Sequence, residues 1–162
     1  MSYFLDANVF IEAKNRYYGF EICPAFWDWL IAKNTAGRVY SIEAVGEELK
    51  TGKDQLAEWA SDRGSGFFLP PNAGFAVASA EVSSWVSSQP YYQYAKHTFL
   101  QGADLYLVAQ ARAQAYCVVT HEEANDSRKE VKIPEPCHAL GIECISLFKM
   151  LQREGARFIL AP

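Results

Sequence analysis

Gly102-Ala-Asp-Leu-Tyr-Leu-Val-Ala-Gln-Ala-Arg-Ala-Gln-Ala-Tyr116 runs directly into Cys117-Val-Val-Thr120. The first part is Ala-rich and apolar round much of a helical circumference, which predicts a largely buried helix. The second is a continuous apolar run of the kind found in strands covered on both faces of a parallel sheet. Working outward, Tyr3-Phe-Leu ending at Asp6, Arg38-Val-Tyr-Ser-Ile42 and Ile142–Ile145 read as further strands. Helical spacing covers Phe10–Arg16, Pro24–Asn34 with its proline at the start, residues 43–51 and 53–62, Phe75–Ser88, Pro136–Leu140 and Leu147–Gln152. Arg63–Gly74 is rich in Gly and Pro and reads as a surface loop, a second loop runs to Ile133, and Phe158–Leu160 is a candidate to close a sheet edge. Residues 89–101 are assigned to no element. Strands alternating with helices predict a three-layer α/β/α fold with a central, mainly parallel sheet, in a single domain over residues 1–162.

Composition narrows the classes. The chain of 162 residues is half apolar and 14% aromatic, enough for a core without staples and far from a disordered composition. No apolar stretch reaches the roughly 20 residues that span a bilayer, and the start meets an acid at Asp6 without a basic run, so the expectation is a cytoplasmic protein with no membrane partner. Cys23, Cys117, Cys137 and Cys144 are scattered, which suits small apolar residues in a reducing compartment better than bridges. A zinc set of His121, Cys137, His138 and Cys144 matches no common ligand spacing. The net charge of −4 weighs against nucleic acid, but acids gathered in one metal site are neutralised by the metal. Arg128, Lys129 and Lys132 then form a candidate rim for a phosphate backbone, with Lys14, Arg16, Lys96 and His97 as further contributors.

Ligands of parallel α/β sheets bind beyond the carboxyl ends of the strands. Asp6 ends the first strand; Glu43, Glu47 and Glu48 follow the second; Glu122, Glu123 and Asp126 follow Thr120. Asp104 opens the Ala-rich helix, where the helix dipole favours an anion. Singly, these acids serve as helix caps and solvated faces. Together at one sheet edge they need a cation, and hard Mg²⁺ or Mn²⁺ suits an all-oxygen set. Periodicity separates the three glutamates. At about 100° per residue, Ile42, Val45 and Leu49 form the apolar stripe, Glu43 and Glu47 fall on the far side, and Glu48 stands at the margin, where it can be anchored and still reach a metal.

Leu5-Asp6-Ala7-Asn8-Val9-Phe10-Ile11 resembles the opening motif of the PIN domain, Glu48-Leu49 its second acid, Gly102-Ala103-Asp104 its third, and Cys117-Val-Val-Thr-His-Glu122 its closing strand-Thr-x-Asp signature. The resemblance spans nearly the whole chain in the right order, and is nearest to the uncharacterised PIN-like group with an Asp-Ala-Asn-Val-Phe-Ile start. It implies a metal-dependent endonuclease of single-stranded RNA, commonly the toxin of a toxin–antitoxin pair, with an antitoxin partner and a homodimer. It also implies the roles. Asp6, Glu48 and Asp104 hold the principal ion. Glu122, where the family usually has Asp, holds a second ion or orients water, with Glu123 and Asp126 as rivals. Asn8 and Thr120 are the polar accessories, and hydrolysis leaves 5′-phosphate and 3′-hydroxyl ends.

Two other readings compete. A haloacid-dehalogenase-like phosphatase also begins with an Asp at the end of strand one, but needs an acid two residues on, where this chain has Asn8. A catalytically inactive PIN-like binding module would keep the fold without the chemistry, and the Glu at position 122 is the departure that favours it.

Overall fold

A computed structural model describes residues 1–162. The chain runs β1 (Tyr3–Leu5), α1 (Ala7–Glu12), α2 (Pro24–Thr35), β2 (Val39–Ile42), α3 (Glu43–Lys50), α4 (Gln55–Ser61), β3 (Phe68–Leu69), α5 (Phe75–Ser88), α6 (Gln93–Gln101), α7 (Ala103–Gln114), β4 (Cys117–Val119), α8 (Pro134–Ala139), β5 (Cys144–Ile145) and α9 (Leu147–Arg153). All five strands are parallel, in the order β3-β2-β1-β4-β5, and helices cover both faces, giving the expected three-layer α/β/α fold. No helix is long and apolar enough to cross a membrane.

The strand order positions the site. The chain steps outward from β1 to β2 to β3, then returns to lay β4 on the other side of β1. The carboxyl ends of β1 and β4 therefore flank the point where the winding reverses, the usual ligand crevice of such sheets. β1 and β4 are wholly buried, with Phe4, Leu5, Val118 and Val119 sealed from solvent at the centre of one apolar core. This explains why both read as uninterrupted apolar runs.

Four local features differ from expectation. α1 begins at Ala7 rather than Phe10, because Asp6 caps it directly. Phe68–Leu69, inside the Gly/Pro-rich loop, is a two-residue strand paired with β2. α6 occupies residues assigned to no element; it buries only Ala95 and Phe99, a stripe too narrow to announce a helix. Phe158–Leu160 forms no strand. Phe158 instead packs its ring against Tyr18, Phe26 and Trp29, while Ile159 and Leu160 stay exposed.

α3 lies close on the sheet. A Cβ at Gly46 would stand 2.8 Å from the Phe68 ring, so only glycine admits this approach. That contact fixes the helix that carries Glu48.

Candidate active site

The ladder delivers Asp6 and Thr120 side by side. The Asp6 N–H donates to the Val119 carbonyl at 2.9 Å, and the Thr120 N–H to Ile145 at 3.0 Å. One Asp6 oxygen caps α1, accepting from the Ala7 N–H at 2.7 Å. The other accepts from the Thr120 hydroxyl at 2.8 Å. Thr120 Oγ1 in turn accepts from Asn8 Nδ2 at 3.4 Å and from the Glu122 N–H at 3.1 Å, and Asn8 Oδ1 accepts from the His121 N–H at 3.3 Å. Asn8 and Thr120 thus form a web that fixes the Asp6 carboxylate from behind.

Asp104 reaches the same place from the first turn of α7, and Glu122 from just beyond β4. Burial, Asp104 and Glu122 push Asp6 up to about 7 against the hydrogen bonds that favour its charged form. Burial and Glu48 push Asp104 up to about 6, despite the helix N-terminus it sits on. Burial and Asp104 push Glu122 up to about 7, although the Ile133 N–H donates to it at 3.4 Å. The cation against this group is Lys132, whose Nζ lies 3.0 Å from Glu130 and 4.0 Å from Glu122.

Glu48 is exposed, and its charge bears on Asp104, whereas neither Glu43 nor Glu47 shifts the buried acids. Glu47 instead pairs with Lys50 at 3.5 Å. Of the rivals at the fourth position, Glu123 and Asp126 are exposed and Glu122 alone is half-buried among the acids. Glu130 joins the group through its charge on Asp104 and Glu122; in sequence it lies inside a basic run that disguises it.

The basic rim divides. Lys129 is exposed, but Lys132 is engaged by Glu130 and Glu122. Arg128 is turned aside, donating to the Pro90 carbonyl with its guanidinium 5.1 Å from the Tyr92 ring centre. Lys14 is paired with Asp54 at 2.9 Å, and Lys96 donates to the Ser87 carbonyl at 2.8 Å. Arg16 lines an open cleft of about 1090 Å³ that Asn8, Thr120 and Glu122 join to the buried acids. Tyr17, His121 and Phe148 form the far wall of this cleft; Tyr17 and Phe148 were hidden in sequence among ordinary aromatic positions. Burial lowers His121, keeping its ring neutral at neutral pH. The four cysteines are free thiols.

The donor set can be tested against a cation. No three His, Cys, Asp or Glu side chains converge on a common point, so this is an open group rather than a closed cage. Its chemistry is nonetheless one-sided: burial and acid neighbours raise all three carboxyls, and Lys132 offsets a single charge. Hard oxygens with unbalanced negative charge fit a hard divalent ion.

Fold and site together define a three-layer α/β/α domain with an acidic crevice at the switch point of its parallel sheet. The chain belongs to the family described as a domain of unknown function (DUF4411), whose model matches residues 3–158. No curated protein and no solved structure matches it.

Proposed function

We propose that this protein is a PIN-like, Mg²⁺- or Mn²⁺-dependent endoribonuclease that hydrolyses phosphodiester bonds of single-stranded RNA. The observation that carries the reading is the cluster of Asp6, Asp104 and Glu122. Three distant parts of the chain supply these carboxyls to one crevice, and all three are raised towards neutrality by burial and by acid neighbours. Folding them together costs stability unless a cation neutralises them.

Asp6, Asp104 and Glu122 would hold the ion with Glu48 at the outer margin, and such an ion supplies charge neutralisation and orientation for in-line displacement at phosphorus. Thr120 fixes the Asp6 carboxylate, and Asn8 fixes both Thr120 and the backbone at His121. Lys132, against both Glu122 and Glu130, limits their repulsion. Lys129, exposed on the loop after β4, would meet the RNA backbone. A role as a toxin with an antitoxin partner, and a homodimer, rest on the PIN resemblance.

The test is cleavage of a labelled single-stranded RNA by chelated protein. Activity should be absent with EDTA and return with Mg²⁺ or Mn²⁺, and only weakly with Ca²⁺, which prefers looser and higher coordination. Products should carry 5′-phosphate and 3′-hydroxyl ends. Full activity after exhaustive chelation would exclude the proposal.

A further inference from the structure

Three aromatic rings from three separate elements meet on the far wall of the cleft. Tyr17, 45% exposed, ends a π-helical turn over Ala13–Tyr17 that continues α1. Phe148, 41% exposed, lies in the first turn of α9, and His121 follows Thr120. The Tyr17 ring centre is 5.6 Å from His121 and 5.1 Å from Phe148, and His121 is 5.8 Å from Phe148. The π turn sets Tyr17 in place: the Tyr18 N–H donates five residues back, to the Ala13 carbonyl at 2.7 Å. Such wide turns are rare and gather at functional sites. His121 Nε2 is buried with no hydrogen-bond partner, a polar atom left over within the cluster.

Large rings exposed on a cleft wall gain nothing from the core. Cations accompany them: exposed Arg16 sits on the same cleft, held by Glu12 at 3.1 Å, and Lys132 lies towards Glu122. Aromatic faces with cations, continuous with a carboxylate crevice, suit a nucleobase stacked on the rings and its backbone tracking past the cations. We infer that Tyr17, His121 and Phe148 form a stacking subsite for one unpaired base of the RNA strand, next to the phosphodiester held at the acids, with Arg16 meeting the backbone. The inference rests on the nuclease reading and adds to it a base-binding subsite, one that a base stacked within a duplex cannot occupy.

The test uses the full chain carrying Asp104→Asn, so that RNA is bound and not cut, in the presence of Mn²⁺. The probe is a fluorescein-labelled single-stranded RNA of about ten nucleotides, read by anisotropy. Tyr17→Ala and Phe148→Ala should each weaken binding by roughly fivefold to a hundredfold, and Tyr17→Phe should restore it. Tyr17→Leu, which keeps apolar bulk without a ring face, should behave like Tyr17→Ala and separates stacking from a folding defect. An abasic substitution at one position of the RNA should cost the parent affinity but leave Tyr17→Ala indifferent. Unchanged affinity in both alanine variants, or equal binding of a blunt duplex, overturns the subsite while the nuclease reading stands. If the unmutated chain neither binds nor cuts RNA with Mn²⁺ present, the nuclease reading falls and the subsite with it.

Discussion

Two carboxylates shielded from solvent stand at opposite ends of the same central sheet. Glu154, half-buried, sits at the amino end of β1; Asp6, buried, sits at the carboxyl end. Glu154 accepts from Arg38 at 2.5 and 2.7 Å and from the Tyr3 hydroxyl at 3.0 Å, with Lys33 at 3.7 Å. Arg38 and Tyr3 hold its carboxyl below the usual range. Asp6 has only a hydroxyl and a backbone N–H, and faces two further acids. The fold thus compensates a half-buried carboxylate fully at one end and leaves a buried one at the other end short of positive charge. The deficit is what an external cation would fill.

The largest expected effect is on chemistry at the unbalanced end. Asp6→Asn keeps the helix cap, which asparagine makes as well as aspartate, and turns its amide NH2 towards Thr120 in place of the second oxygen. Metal-dependent cleavage should nevertheless fall on the order of 10³-fold. Loss of folding in place of loss of activity would make Asp6 a structural cap only.

At the balanced end, Glu154→Gln should lower the melting temperature by several degrees and leave the cleavage chemistry intact, because it strands Arg38 and Lys33. The pH profiles should also be opposite. Glu154, held below its unfolded value, contributes stability that is present above about pH 4 and lost as pH falls through its folded pKa. Asp6, Asp104 and Glu122 are held above theirs, so the stability they contribute is full below about pH 4 and is lost as pH rises to about 6 to 7. Metal-free protein should therefore weaken from about pH 4 up to about pH 7 and level off above it, a slope that saturating Mn²⁺ removes. Scanning calorimetry across that range decides it.

Two smaller changes sharpen the contrast. Gly46→Ala forces α3 away from Phe68 and should cost about 1–3 kcal/mol. It also carries Glu48 away from Asp104, so cleavage should drop roughly tenfold. Ala115 belongs to neither end; it closes α7 at φ 57°, where glycine is at ease. Ala115→Gly should stabilise by about 0.5 kcal/mol with no change in the pH slope.

Much of this was legible in sequence. The buried runs at Tyr3–Leu5 and Cys117–Val119 announce a parallel sheet because burial on both faces leaves no polar alternation. Asp6, Asp104 and Glu122 stand out because each abuts an apolar element. Helical phase also selected Glu48, the one glutamate of α3 that Asp104 feels. What stayed hidden depends on distant partners. Phe68–Leu69 is a strand only because β2 lies alongside, and Glu130 and Lys132 join the acids only because the loop folds back. Glu154 looks like any surface glutamate until Arg38 and Tyr3 meet it from more than a hundred residues away.

On the nuclease reading, the acids at the carboxyl end oppose folding and await a cation. The most direct measurement compares melting of the metal-free parent with Asp104→Asn, at about pH 8 and about pH 5. Removing one charge relieves Asp6 and Glu122, so the variant should melt higher at about pH 8, by about 2–4 °C, with a smaller gain near about pH 5, which lies between the unfolded and folded values. A variant that melts lower than the parent at about pH 8 would show that Asp104 is there to hold the fold, and the account would be wrong at its centre.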